Sequence, residues 1–389
     1  MISQRIQKFI NLEAASGVFL LVSLCVALVI ANSPLDHSYQ RLLDTKIQLG
    51  FGQFELAKPA ILWVNEGLMA LFFMLLALEI KREFLEGELS QLSQVTLPFA
   101  GALGGIGVPI LIFVLFNHGY SFEMRGWPIP TTTDVAFMLG IVALLGSRVP
   151  NSLKVILVAL SIVDDIVAII IIAVSYSGSL SWVSFAVGLA GILLLILFNM
   201  LRIMRIAPYM IVGAIIWVAV LKSGIHATLA GVVVGLLMPL QNSKNPEYSP
   251  LRTLERLLHP WVAYGILPVF VLFNGAVPFS GFEISQFTKP LALGISLGLF
   301  LGKSCGVFIC CWLTIKVGLA RLPSSSNYRQ LFGVSALTGI GFTMSLFLST
   351  LAFANTEYEN LSRQAVLLGS LFACVLGICL LLKKPRCSQ

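Results

Sequence analysis

The chain is poor in charge: only 11% of its 389 residues are Asp, Glu, Lys or Arg, against roughly 25% in a soluble domain. It lacks long polar segments too. The longest polar connection runs from Gln241 to Arg256, which leaves no room for a soluble domain or a low-complexity linker. Seven cysteines are present but no C-x-x-C pair, and all but Cys387 fall in apolar stretches. They read as small packing residues rather than as a redox or metal framework. No A-x-A cleavage pattern follows the basic opening "MISQRIQKFI" near Ala31-Asn32-Ser33, so the first apolar stretch reads as a retained helix.

What is present is hydrocarbon. Hydrophobic residues make up 57% of the chain and the mean hydropathy is +0.92. On a criterion of ~20 apolar residues per span, the chain divides into about twelve membrane-spanning stretches, near 12–31, 60–80, 94–116, 127–147, 151–176, 182–201, 206–221, 223–240, 260–278, 290–315, 331–353 and 361–382. The pair around Lys222-Ser223-Gly224 is short. With a cytoplasmic N-terminus, seventeen of the 25 basic residues fall inside and seven outside, while Lys303 lies within a span. This bias follows the positive-inside rule, and two basic ends on one side require an even number of spans. The expected fold is therefore an all-α polytopic membrane protein with both termini cytoplasmic. Its net charge of +7 reflects orientation and lipid headgroups, and no nucleic-acid partner is expected.

One connection has structure of its own. In "KIQLGFGQFELAK", residues 46–58, apolar residues alternate with polar or small ones on either side of Gly52-Gln53, a β-hairpin pattern. An isolated hairpin is marginal in water, so this one is expected to pack on something, such as a second copy of the chain.

Two spans are interrupted. The fourth opens with "GWPIPTTTDVAF", and the eleventh carries "ALTGIGFTMS", residues 336–345. Non-helical backbone at membrane depth survives only inside protein or against a watery cavity. These spans are the middle members of two triples of opposite orientation, spans three to five (94–176) and ten to twelve (290–382). Matched interruptions in two inverted halves point to a transporter's binding site. If the breaks cross, two half-helix N-termini face each other and so do two C-termini, with partial charges of roughly +0.5 and −0.5. Asp134 would compensate the first pair and Lys303 the second.

Ionisable residues at a span centre cost roughly 2.5–3.5 kcal/mol on insertion scales and usually meet a cavity or a partner. Asp134, Asp164, Asp165 and Lys303 all qualify. A structural ion pair accounts for one acid and one lysine; three acids and one lysine leave net negative charge that needs protons or a bound cation. Adjacent residues on a helix diverge by about 100°, so of Asp164 and Asp165 in "ALSIVDDIVAII" one can bind a cation while the other meets Lys303. Such carboxylates trade a proton for a cation and titrate as a coupled pair. Carboxylate oxygens, the Thr133 hydroxyl and freed carbonyls suit a hard alkali ion.

Other features are weaker. "GLFLGKS", Gly298 to Ser304, has three residues between its glycines where a phosphate-binding loop needs four. Gly298/Gly302, Gly101/Gly105 and Gly231/Gly235 read instead as helix-packing faces; neither nucleotide nor resident cofactor is expected. The charges of "LEIKREFLEGE" and "RTLERLLHPW" read by spacing as solvated helix ends, and His226 in "SGIHATLAG" as a satisfied core histidine.

Taken together, "TTTDVAF", "SIVDDI", "SGIHATLAG", "LHPWVAYGILP", "LGKSCG" and "GIGFTMSLF" resemble, in order and spacing, the NhaA family of sodium/proton antiporters, from about Asn11 to Leu382. That family is itself a standard instance of inverted repeats with broken helices, so the repeat argument and the resemblance are not independent. The resemblance implies twelve spans crossing at spans four and eleven, a homodimer joined partly by the hairpin, and a bacterial inner-membrane location. It implies electrogenic, pH-regulated export of sodium or lithium against protons, serving pH and sodium homeostasis. Asp165 matches the principal cation ligand and Asp164 the neighbour linked to Lys303, while Thr133 and Asp134 line the crossing. Glu79, Arg82, Glu83, Glu255 and His259 match residues of pH response, with which His226 is grouped. Three departures stand out: Glu66 replaces a usual aspartate, "VLFNGAV" replaces the usual "FANAGV", and Arg256 sits where some members have histidine. They bear on the pH range rather than on the exchange core.

Three rivals fit less well. A sodium- or proton-coupled symporter needs organic-solute contacts beside the acids, where only small residues stand. An intramembrane aspartyl protease needs G-x-G-D and two acids meeting at one peptide bond. A plain channel does not need proton-exchanging acids and a lysine in its path.

Overall fold

A segment entering hydrocarbon must satisfy its own backbone N–H and C=O groups, and a single segment does this as a helix. The apolar runs obey. The computed structural model describes residues 2–51, 54–87, 92–176, 181–241, 248–278 and 284–382. In chain order these form α1 (Ile2–Ala31), α2 (Asp36–Asp44), β1 (Lys46–Phe51), β2 (Phe54–Pro59), α3 (Ala60–Glu86), α4 (Leu92–Asn117), α5 (Val135–Leu145), α6 (Asn151–Ser175) and α7 (Trp182–Met200). There follow α8 (Ile206–Ser223), α9 (Thr228–Leu237), α10 (Pro250–Asn274), α11 (Pro290–Lys316), α12 (Tyr328–Leu337), α13 (Phe342–Phe353) and α14 (Tyr358–Leu382). Short 3₁₀ turns at Glu123–Gly126 and Ile129–Thr131 lead into α5.

Among the described residues, nine helices are long and apolar enough to cross a membrane. The count is eleven when two bent pairs each serve as one span: Ala15–Ala31 with α2, at 111°, and α12 with α13, at 41°. The protein is a multi-pass membrane protein. Twelve spans are not reached by length, because the stretch expected at 223–240 forms only the ten-residue α9. The break at Ser223–Gly224 takes the rest: Gly224 ends α8 in the left-handed conformation, φ 86°, which glycine adopts without strain.

The hairpin forms where alternation placed it. β1 and β2 are antiparallel, with Lys46 opposite Pro59 and Phe51 opposite Phe54; the connecting Gly52-Gln53 lies outside the described residues. Trp63 Nε1 donates to the Ile47 carbonyl at 3.2 Å, and Lys58 pairs with Glu66 at 2.8 Å, so the strands are tied to the start of α3.

The chain divides into two compact units. Unit 1 holds residues 1–28, 91–168 and 277–389; unit 2 holds 29–90 and 169–276. In unit 2, α9 packs on α3, and a Cβ on Gly231 would overlap the Ala70 carbonyl. Met74, Leu78, Tyr209, Ile216, Val234 and Leu251 fill the core beside this contact. Lys81 Nζ donates to the Leu236 and Met238 carbonyls, each at 2.8 Å, which places a cation on the carbonyl end of α9. In unit 1, α4 and α11 approach closest where Gly104 and Gly306 meet backbone to backbone. Of the expected glycine faces nearby, Gly302 meets the Pro109 backbone, while Gly105 faces the Val307 side chain and Gly298 the Pro130 ring.

Candidate functional site

The site is built on the two breaks in unit 1. Pro128 and Pro130 deny the chain helical hydrogen bonds, and Thr132 to Asp134 run extended before α5 begins. Between α12 and α13, residues 338–341 interrupt the helix. The breaks meet: Asp134 N donates to the Ile340 carbonyl at 2.6 Å, and the Thr133 hydroxyl lies 3.0 Å from the Thr338 carbonyl.

The two helix N-termini at the breaks, and one carbonyl end, then find a counter-group. Asp134 caps α5, accepting from Phe137 N at 2.9 Å through Oδ1, while Oδ2 accepts from Thr343 N of α13 at 3.0 Å. One carboxylate thus serves two helix N-termini, where N–H groups are unsatisfied and the dipole favours an anion. Ser370 Oγ accepts from Gly341 N and Phe342 N at 3.2 and 3.3 Å. Lys303, wholly buried in a π-helical turn of α11 (Gly298–Lys303), donates to the Thr131 carbonyl that closes the preceding 3₁₀ turn. Asp134 thus meets both N-termini as expected of it, whereas Lys303 meets one of the two C-terminal ends, that at Thr131. "GLFLGKS" lies inside α11 and forms no loop.

Lys303 Nζ also stands 2.8 Å from Asp164 Oδ2, with side-chain exposures of 0% and 1%. The Thr133 hydroxyl is 2.7 Å from the same oxygen, so its one proton serves two acceptors. Oδ2 is therefore doubly contacted, whereas the buried Oδ1 of Asp164 has no hydrogen-bond donor among the described residues. Asp165 is buried as well and leaves α6 in a different direction. Three carboxylates and one ammonium within one buried region are short of positive charge, a condition that a proton or a small cation corrects. Among the described residues, no three His, Cys, Asp or Glu side chains gather as a metal centre. Any cation here is held by carboxylate, hydroxyl and carbonyl oxygens, the donors of a hard ion.

The second group of candidates lies in unit 2. Arg82 Nε reaches both oxygens of Glu255 at 3.0 and 3.1 Å, and its Nη1 meets Glu83 at 2.6 Å. Arg252 pairs with Glu86, joining the end of α3 to the start of α10 a second time. Glu79 is one turn before Glu83, and His259 one turn after Glu255. His226 does not join them. It precedes α9, with Nδ1 2.8 Å from Thr228 Oγ1, whereas Lys81, beside Arg82, meets the far end of that helix, about 15 Å along the axis.

Sequence reasoning missed Ser345 and Ser370. Ser345 donates to the Ile129 carbonyl at 2.8 Å and lies 3.0 Å from Thr132 Oγ1, tying α13 to the turn before α5. It also missed the reciprocal buried amides Asn65 and Asn274, at 2.8 and 3.2 Å. Their one visible signal is an amide in an apolar run.

The profile described as Na+/H+ antiporter 1 matches residues 7–381. The chain belongs to that family. It is 51% identical over 372 residues to the Na(+)/H(+) antiporter NhaA of Pseudomonas fluorescens, which covers 95% of this chain and 94% of the relative. It is 49% identical over 377 residues to that of Aeromonas hydrophila (96% and 95%) and 47% over 379 residues to that of a Sulfurovum strain (97% and 97%). With the crossing and the buried acids in place, membership extends over both units of the antiporter-family fold.

Proposed function

We propose that the protein is a secondary antiporter that exports Na+ or Li+ in exchange for H+. The reading is carried by the asymmetry of Asp164: one oxygen is held by Lys303 and Thr133, the other is buried without a donor. Asp165, beside it, supplies the second carboxylate. A desolvated carboxylate binds either a proton or an alkali ion, and each displaces the other because the low dielectric penalises leaving the charge bare. Alternating exposure of this one site to the two sides couples the fluxes. Nucleotide hydrolysis has no role in this scheme, and more than one proton per sodium makes it electrogenic.

The protein works in a bacterial inner membrane with both termini cytoplasmic, the orientation favoured by its basic residues. In that orientation Glu79, Arg82, Glu83, Glu255 and His259 face the cytoplasm, and protonation of Glu255 or His259, held beside the permanently charged Arg82, sets the pH at which exchange begins. The hairpin joins two copies. A symporter is not favoured: the relatives of this chain are named Na(+)/H(+) antiporters.

The test is purified protein in liposomes with an imposed pH gradient, challenged with NaCl, LiCl or KCl while lumenal pH is followed. Dissipation of the gradient by sodium or lithium is expected. A gradient indifferent to all three salts overturns the proposal.

A further inference from the structure

Acidic residues are unevenly placed in unit 1. None occurs from 135 to 163 or from 284 to 356, yet those stretches contain Arg148, Lys154, Lys316, Arg321 and Arg329. Two hydrogen bonds bring the carriers together at one end of the unit. Gln330 Nε2 donates to the Arg148 carbonyl at 3.1 Å, and Ser152 Oγ donates to the Ser324 carbonyl at 2.7 Å. The N-terminus of α6 therefore lies against the 317–329 segment. Its own unsatisfied N–H groups add positive potential.

Inward bias of basic residues is general in membrane proteins, but unit 2 shows that it need not leave cations uncompensated. There Arg82 and Arg252 are matched by Glu83, Glu255 and Glu86. In unit 1, Arg148, Lys154 and Arg321 form no ion pair among the described residues. Lys154 is 6% exposed as a residue, but its Nζ is not among the fully buried atoms, so the aliphatic stem is covered while the ammonium reaches the surface. Surface cations with no acid beside them draw an anionic counter-charge from outside the chain.

The neighbouring apolar side chains say what carries that charge. Val317 and Leu319 are 72% and 70% exposed, between Lys316 and Arg321, and Leu144 is 78% exposed just before Arg148. Lys316 lies over the Trp312 ring at 4.7 Å, an aromatic–basic pair of the kind found at headgroup depth. Free phosphate has no use for exposed valine and leucine; a lipid with an anionic headgroup uses both features.

We propose that this end of unit 1 docks anionic phospholipid. Headgroup phosphates sit on Arg148, Lys154 and Arg321 around the start of α6, and acyl chains lie along Val317 and Leu319. The lipid thereby anchors the N-terminus of the helix that carries Asp164 and Asp165. Under the orientation proposed above this is the inner leaflet, but the surface does not depend on the exchange activity.

The test uses full-length protein, delipidated and returned to phosphatidylcholine vesicles with or without phosphatidylglycerol. Retained lipid is counted by native mass spectrometry and thermal stability is followed in parallel. Wild type should retain phosphatidylglycerol and gain stability from it. The R148Q/K154Q/R321Q variant should lose affinity by about fivefold for each charge removed, whereas Arg125→Gln/Lys289→Gln, elsewhere in unit 1, should bind as wild type. If the triple variant cannot be purified, Val317→Ser/Leu319→Ser, at exposed positions, should lower retention severalfold. Wild-type retention by either surface variant overturns the proposal. So does an equal stability gain from inorganic phosphate, which would mark an anion site rather than a lipid one.

Discussion

Two ion pairs of nearly equal length, one in each unit, sit in different surroundings. Lys303–Asp164 in unit 1 is 2.8 Å long with exposures of 0% and 1%; Arg82–Glu255 in unit 2 is 3.0 Å long with exposures of 32% and 17%. Distance does not separate them. Solvent does: Coulomb attraction at ~4 Å is about 1 kcal/mol in water and about 4 at an effective dielectric of 20. The partly wet pair can open and close at small cost, as a regulator must. The dry pair cannot lose one charge without another arriving, which is what coupling a proton to a cation requires. Buried pairs of this kind are weak contributors to net stability, yet breaking them is expensive.

The largest expected effect follows directly. Asp164→Asn leaves Lys303 buried and uncompensated and should destabilise the protein by about 3–5 kcal/mol. The double variant Asp164→Asn/Lys303→Met should recover most of that loss in thermal unfolding while remaining inactive. If the double variant is no more stable than the single, the pair is not energetically coupled and the contrast with unit 2 collapses.

Next comes Asp134. Its carboxylate caps α5 and also receives Thr343 N. A lost cap costs roughly 0.5–2 kcal/mol, so Asp134→Ala should cost about 1–4 kcal/mol in thermal unfolding. Asp134→Asn, whose amide oxygen still accepts one bond, should lose less. Equal losses would mean that the two N-termini do not share the carboxylate.

In unit 2 the expected changes are smaller. Glu255→Gln mimics the protonated state at every pH; because the pair is part-exposed, its stability cost should stay near 0.5–1 kcal/mol. Its signature is kinetic, a displaced pH profile of exchange with the transported ion unchanged. An unaltered profile would return these charges to the role of a solvated helix end. Deleting residues 49–56 should do least to exchange: monomers by cross-linking, with activity retained. A deletion variant that stays fully dimeric contradicts the hairpin's proposed role.

How much of this was legible in the sequence differs by interaction. Asp134, Asp164 and Lys303 were legible because an ionisable group in hydrocarbon demands an explanation, and the broken spans because proline and glycine cannot hide there. Ser345 and Ser370 were not, because a hydroxyl in an apolar helix usually bonds back to its own turn, as Ser161 does to Leu157 and Ser296 to Ala292. Only the fold reveals which serines turn outward. The Gly104–Gly306 contact escaped for a similar reason: spacing marks a small-residue face but does not fix which member meets the neighbouring backbone. His226 was grouped with the Arg82 cluster, although α9 holds the two apart. The twelfth span is left unconfirmed at α9, whose ten residues are too few to cross alone.

The central claim is that the buried acids of α6 form one site that binds either a proton or sodium. Sodium-dependent proton release from detergent-solubilised protein tests it most directly, with wild type, Asp165→Asn and Asp164→Asn compared at alkaline pH. Wild type should release protons on addition of NaCl. Asp165→Asn should release none, because an amide keeps the shape but loses the charge that offsets cation desolvation, and Asp164→Asn should release fewer. Wild-type release from Asp165→Asn would contradict the account.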